Sequence, residues 1–136
     1  MDAHRGRRGG PRTANRPSLT LCITARDAEP RLRILLAEAE HYADEVVVAV
    51  DRASVDGTWE VATQGADRVF AFTHDGATGA ARLAGLERAS CDWVLFLDDD
   101  EGMDAVFPQL RDDLLSMAGV THWWLPPPPT STASAS

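Results

Sequence analysis

Four acidic side chains stand in a row, Asp98, Asp99, Asp100 and Glu101, directly after the apolar run WVLFL. Adjacent carboxylates repel one another unless they are exposed, protonated or matched by cations. If Asp98 continues the strand direction, Asp98 and Asp100 point to one side and Asp99 to the other. Two carboxylates spaced in this way can share one hard cation, or one can ligate while the other accepts from a ligand hydroxyl. Mg²⁺ or Mn²⁺ suits such oxygen ligands and keeps water or phosphate in its remaining positions. The plainer alternative is a solvated acidic turn opening the next helix, with Asp99 or Asp100 facing free backbone N–H groups. An apolar strand feeding the cluster favours the metal and phosphate reading.

Other chemistry-bearing residues also follow apolar runs. Asp51 ends VVVAV; a carboxylate fixed there can accept from a base N–H or a sugar hydroxyl, or it can close a turn on its own backbone or pair with Arg52. Asp56 is expected to cap a helix. Asp27 and Glu29 follow the first strand, where they could flank a base, and Glu29 could equally serve as an acid in a first helical turn. Arg82 could approach a diphosphate or pair with Glu87. The stretch DGATGAARLAG lacks the Gly-Lys-Ser/Thr ending of a P-loop and does not match GxGxxG. His74 stands alone in a loop. No HxH, HExxH or CxxC spacing occurs, so zinc is not expected, and neither Cys22 nor Cys91 sits at a nucleophile elbow.

Alternating elements must position these residues. Leu19, Leu21 and Ile23 mark a strand, with Cys22 able to face a second apolar layer, and residues 28–41 read as a helix with Pro30 in its first turn and Leu32, Leu35, Leu36 and Ala39 on its apolar face. A strand covered on both sides follows at 45–50, then a helix at 58–64, a strand at 68–72, a helix at 79–89 and a strand at 93–97. A last helix is expected over 103–117, its apolar face being Val106, Leu110, Leu114 and Met117. The alternation is that of βαβ units, and it predicts an α/β fold with a mostly parallel sheet and helices on both faces. Ligands of such sheets bind beyond the C-terminal strand ends, and those ends are the acidic ones here. The loops at the opposite edge, 42–44, 65–67 and 90–92, read as plainer.

With 136 residues, 44% of them hydrophobic, the chain suits one domain with a sizeable core. Residues 1–17 carry five arginines against one acid, a balance of +4, and read as a basic disordered leader; the remainder, at −12, argues against a broad nucleic-acid surface. All 13 basic side chains are arginine. Two cysteines beside apolar strands are expected to be buried thiols, which fits a reducing, cytoplasmic setting. No run of about 20 apolar residues suggests a transmembrane segment. Residues 18–119 form the expected domain. In 120–136, THWWL could open an edge strand before a Pro/Ser/Thr-rich tail that is expected to be disordered.

In their order and spacing these residues resemble the N-terminal, nucleotide-binding half of a family 2 glycosyltransferase of the GT-A (nucleotide-diphospho-sugar transferase) type. The correspondences are the opening strand with Thr24, Asp27 and Glu29; VDRASVDGT, giving Asp51, Ser54, Asp56, Gly57 and Thr58; and GAARLAGLERASCDWVLFLDDDE, similar to the family's helix with Ala-Arg-Asn and Gly leading to Asp-x-Asp. The resemblance implies a UDP- or GDP-sugar between the first two strand ends. It places Asp51 and Asp27 or Glu29 near the base, Thr24 and Arg82 in the donor site, Asp98 near the ribose and the cation, and Asp100 on an Mn²⁺ or Mg²⁺ bound to the diphosphate. Transfer to an acceptor hydroxyl with inversion is implied, by a carboxylate base that this sequence does not locate. Leu83 stands where the family has Asn, and WWLPPPP interrupts the continuation that carries the acceptor region, so a C-terminally truncated domain is expected. The alternative function is a nucleotide-sugar-binding or regulatory protein without turnover.

Overall fold

The computed structural model describes residues 3–4, 17–74, 79–102 and 107–117. In chain order the elements are β1 (Ala3–His4), β2 (Leu19–Ala25), α1 (Glu29–Ala39), β3 (Glu45–Asp51), α2 (Thr58–Gly65), β4 (Arg68–Phe72), α3 (Gly79–Arg88), β5 (Trp93–Asp98) and α4 (Phe107–Leu115). The sheet has the order β1-β4-β3-β2-β5, with β2 to β5 mutually parallel and the two-residue β1 antiparallel at the edge. Residues 1–2 and 5–16 of the expected leader, residues 75–78 and 103–106, and those from 118 onward, with Trp123 and Trp124, lie outside the described residues.

The strands form where the β-branched and aromatic runs lie. β3 is buried along its whole length, as a continuous Val run covered on both faces requires. On one face Leu19, Leu21, Ile23, Val46, Val48, Val50 and Val69 pack against Leu32, Leu36, Val61, Phe107 and Leu115 of α1, α2 and α4. On the other, Cys22, Val47, Ala49 and Phe70 lie under α3, with Val94 and Phe96 half-buried beside them. The handedness of parallel crossovers explains the division. The chain steps from β2 to β3 to β4 in one direction and then returns across the sheet to β5, so right-handed connections put α1 and α2 on one face and α3 on the opposite one.

Gly85 lets α3 approach. A Cβ there would meet the Cys22 sulfur at 2.7 Å, closer than real Cβ contacts come, so a methyl at this position would lift the helix from the sheet. α1 ends at Ala39 rather than at His41 because its last N–H groups tighten to i−3 carbonyls: Glu40 to Ala37, His41 to Glu38 and Tyr42 to Ala39.

The expected face of the last helix is corrected in part: Leu114 packs half-buried against the core and Val106 lies outside the described residues, but Leu110 and Met117 are exposed, while Phe107, Arg111 and Leu115, spaced by four, face the core. Arg111 is 1% exposed. Its Nε donates to the Tyr42 carbonyl at 2.6 Å, and its Nη2 donates to the Pro17 carbonyl and to Asp44 Oδ2, both at 2.8 Å. An apolar stripe read from sequence cannot anticipate an arginine whose partners come from two distant segments, Pro17 before β2 and the loop carrying Tyr42 and Asp44.

Candidate functional site

The strand order reverses between β2 and β5, and at such switch points a crevice opens beyond the C-terminal strand ends. Parallel register sets Thr24 opposite Asp98 there. The Thr24 hydroxyl donates to Asp98 Oδ1 at 2.6 Å, and Arg82 of α3 brings Nη2 to 3.7 Å from the same oxygen, its guanidinium lying 5.7 Å from the Phe96 ring centroid. Arg82 therefore pairs with the acidic cluster and not with Glu87. The Asp98 side chain remains 41% exposed, so the pair is wet and available to a ligand.

The cluster divides as strand alternation requires. Asp98 faces α3, whereas Asp99 turns toward α1: its Oδ2 accepts from the Arg26 N–H at 2.7 Å, and Arg31 reaches its Oδ1 and its carbonyl, each at 3.3 Å. Glu101 closes the turn reciprocally, accepting from the Asp98 N–H at 2.8 Å while its own N–H donates to the Asp98 carbonyl at 3.0 Å. Asp100 is exposed, and no hydrogen bond or ion pair ties it to the described residues. Among those residues no three His, Cys, Asp or Glu side chains are grouped to hold a metal ion. Asp98 and Asp100 are the partly and fully exposed oxygen donors at this strand end, and hard cations such as Mg²⁺ or Mn²⁺ take as few as one or two carboxylates.

The loops after β2 and β3 are stitched to each other. Asp27, in the left-handed region at φ 45°, donates its N–H to Ser54 Oγ at 3.1 Å and accepts from the Val55 N–H at 2.7 Å. The Ala28 N–H donates to the Thr58 hydroxyl at 2.8 Å, and the Glu29 N–H to Asp56 Oδ2 at 3.2 Å. Glu29 Oε1 accepts from the Gly57 N–H at 3.0 Å. Asp56 also accepts from the Thr58 N–H at 2.9 Å and from the Thr58 hydroxyl, which, as its strongest influence, holds the Asp56 carboxyl below the usual carboxylate range. The Ser-x-Asp-Gly-Thr stretch thus binds one loop to the other, with Asp56 one residue ahead of the Gly57 cap of α2.

Asp51 is 4% exposed. Its Oδ1 accepts from the Ala53 N–H at 2.9 Å, closing a turn on its own backbone, while Arg52 bonds the Thr73 hydroxyl at 3.1 Å and not Asp51. A cleft of about 140 Å³ opens beside it, lined by Val50, Asp51, Arg52, Ser54, Asp56, Trp59 and Ala71. Arg31 and Trp59 were not singled out from sequence; the available signals were an arginine in the first turn after a strand end and an aromatic one residue past Asp-Gly-Thr.

The opposite edge is not plain. Asp44 accepts from the Leu19 N–H at 2.9 Å, and Asp67 from the Val46 N–H at 2.8 Å. Glu45 accepts from the Thr20 hydroxyl and from the N–H and hydroxyl of Ser90, and Asp92 from the N–H and hydroxyl of Ser18. Cys22 is buried and Cys91 half-buried, and both are free thiols. Burial, with the Glu45 charge adding to it, pushes the Cys22 thiol up to about 12, so it is neither nucleophile nor ligand at neutral pH. No described helix is long and apolar enough to cross a membrane.

The family model described as glycosyl transferase family 2 matches residues 20–105, which include every strand-end residue discussed above. A TPR repeat-containing protein of Synechococcus elongatus is 32% identical over 83 residues, covering 61% of this chain and 20% of that protein. A mannosyltransferase from Pyrobaculum calidifontis, solved with GDP-Man and Mn²⁺, has a TM-score of 0.60 at 21% identity, over 84% of this chain and 36% of that one. Glucosyl-3-phosphoglycerate synthase from Mycobacterium tuberculosis, solved with Mn²⁺, UDP and glucosyl-3-phosphoglycerate, has a TM-score of 0.58 at 21% identity, over 76% and 42%. At that identity the two structures establish the α/β fold, a mostly parallel sheet flanked by helices. The chain spans less than half of each of these proteins.

Proposed function

The chain belongs to glycosyl transferase family 2, and from that premise we propose that it binds a nucleoside-diphosphate sugar across the C-terminal ends of β2, β3 and β5. The observation that carries this reading is the Thr24, Asp98 and Arg82 group at the switch point, with Asp100 uncommitted beyond it. Asp51 and Asp98 end strands separated by β2, roughly 10 Å across the sheet, a span that suits a nucleoside with its base at one end and its phosphates at the other. Thr24 fixes the Asp98 carboxylate, Arg82 is poised to exchange it for a phosphate oxygen, and Asp51 accepts from the base. The Asp27 and Glu29 carboxylates hold the loop carrying Asp51. Asp98 and Asp100 would hold Mn²⁺ or Mg²⁺, whose charge offsets that developing on a departing nucleoside diphosphate.

Joined to an acceptor region, such a domain would supply the donor for transfer to an acceptor hydroxyl with inversion. The second reading, binding or regulation without turnover, is favoured by one observation. Among the described acids of the cluster, Glu101 and Asp99 are committed to backbone and arginine partners, and Asp112 bonds Arg111 near the opposite edge, which leaves no evident base.

Calorimetric titration with UDP-, GDP- and dTDP-sugars, with and without Mn²⁺, tests the reading. Cation-dependent binding by the wild type that is lost in Asp100→Ala supports it; identical responses of the two proteins to metal and nucleotide overturn it. Release of nucleoside diphosphate from a bound donor then separates an enzyme from a binder.

A further inference from the structure

β5 is the last strand of the sheet, and among the described residues nothing pairs with its outer side. The strand at the other flank, β4, is covered by β1. The N–H groups of Trp93 and Asp99 donate inward, to the carbonyls of Ser18 and Thr24. Backbone groups alternate along a strand, so the N–H and carbonyl of Val94, Phe96 and Asp98 point outward. Asp98 spends both on Glu101. Val94 and Phe96 give theirs to none of the described residues.

The side chains here are apolar on both faces, Val94 and Phe96 toward α3 and Trp93 and Leu95 on the face of α1 and α4. All four are half-buried, whereas β3 is buried throughout. Leu86, one turn on from the Arg82 that lies over Phe96, adds an exposed apolar side chain on the same flank of α3. Lateral strands are ordinarily blunted by lysine or proline; WVLFL carries neither.

Topology restricts what can cover this side. α4 packs on the α1 face and returns the chain to the start of β5, where the Leu115 carbonyl accepts from Trp93 Nε1 at 3.0 Å. On that face right-handed crossovers advance from β2 toward β3 and β4, so from β5 they lead inward, to the place that β2 fills. A strand added outside must therefore run antiparallel and begin at the C-terminal end of β5, about 20 Å from where α4 ends. The run THWWL begins at Thr121, four residues after Met117, a reach of about 14 Å. A twofold axis meets the requirement directly, because it sets a strand antiparallel to its own copy.

We propose that the outer side of β5 is the interface of a twofold dimer, in which the second copy's β5 continues the sheet with Leu95 of each chain at the axis. Val94 then faces Phe96 of the second copy as a hydrogen-bonded pair, and Phe96 faces its Val94, so every open donor meets an open acceptor. Trp93 lies opposite Leu97 of the second copy, and apolar pairs cover both faces. Pairing stops at Asp98, whose backbone Glu101 holds, before Asp98 would stand opposite the second copy's Asp92. Nothing in this interface depends on the donor reading.

Light scattering on the full chain over a dilution series, joined to amide hydrogen exchange, tests the dimer. The expected result is twice the chain mass, falling on dilution. The Val94 and Phe96 amides should be protected in the dimer and exchange in the dilute chain, while those of Leu95 and Leu97, directed to β2, stay protected throughout. Val94→Pro removes one outward N–H per chain, a loss that a lateral strand tolerates, and should weaken the dimer about tenfold or more with its circular dichroism unchanged. A monomer whose Val94 and Phe96 amides exchange freely overturns the dimer. So does a monomer in which they are protected, which would assign the outer side of β5 to the chain's own residues, such as 121–125. A dimer that leaves these amides exchanging, or that a folded Val94→Pro does not weaken, lies on another surface and overturns it as well. Assemblies larger than two overturn the closed pair. Should Val94→Pro fail to fold, mass and exchange in the wild type decide alone.

Discussion

Asp44, Glu45, Asp67 and Asp92, at the N-terminal edge of the sheet, accept from backbone N–H groups and hydroxyls of neighbouring segments, and Asp44 also takes the buried Arg111. At the C-terminal edge Asp98 is half-exposed with one oxygen shared by Thr24 and Arg82, Asp100 is exposed with no described partner, and Asp51 keeps an oxygen open to a cleft. Both edges are acidic, and the difference lies in commitment. The buried Asp44, Glu45 and Asp67 at the first edge tie loops to strands at low dielectric, where losing a partner is costly, while the exposed Asp92 does the same at the surface. Uncommitted carboxylates at the second edge repel one another and add little stability, which is the condition of a group kept for a ligand.

Breaking one edge should therefore unfold, and breaking the other should only unbind. The largest effect is expected for Arg111→Ala, which takes the buried cation from Asp44 and a donor from the Tyr42 and Pro17 carbonyls; removing one partner of a buried pair costs about 3–5 kcal/mol, read as a lower urea midpoint with unchanged slope. Gly85→Ala, between the edges, pushes a methyl against the Cys22 sulfur and should cost about 1–3 kcal/mol. Because α3 carries Arg82, a nucleotide titration of the same variant should also weaken.

Asp56 is the structural acid of the second edge. Its folded carboxyl titrates below the ordinary aspartate value of 3.8 because of the Thr58 hydroxyl, so its contribution is full above that value and disappears as pH falls through the folded one. Thermal scans between about pH 5 and about pH 2 should show the gap between wild type and Asp56→Asn closing as the pH drops. The smallest effect is expected for Asp100→Ala, within about 0.5 kcal/mol of wild type in stability, although it abolishes cation-dependent binding. A strongly destabilised Asp100→Ala would blur the contrast between the edges.

Much of this was legible from local pattern. The βαβ alternation, the full burial of the Val run in β3, the second-layer position of Cys22 and the opposite facing of Asp98 and Asp99 follow from strand period and apolar content alone. What was not legible depends on partners distant in sequence. The face of α4 is set by Arg111 reaching Tyr42, Pro17 and Asp44, and so it turns one residue away from the apparent Leu110 stripe. Asp27 and Glu29 were read as able to flank a base, Glu29 equally as an acid in a first helical turn, which is its place in α1; that their carboxylates also meet Val55 and Gly57 depends on the register of β2 beside β3. The acids of the N-terminal edge looked plain because no spacing rule reports that Glu45 will meet Ser90.

The most direct test of the account is a paramagnetic one. Mn²⁺ and UDP added to the ¹⁵N-labelled chain should broaden the amide signals of Thr24 and of residues 98–102, and leave those of Leu19, Asp44 and Val46 sharp. Broadening at the N-terminal edge, or none at either edge, would contradict the claim that the uncommitted carboxylates form the site.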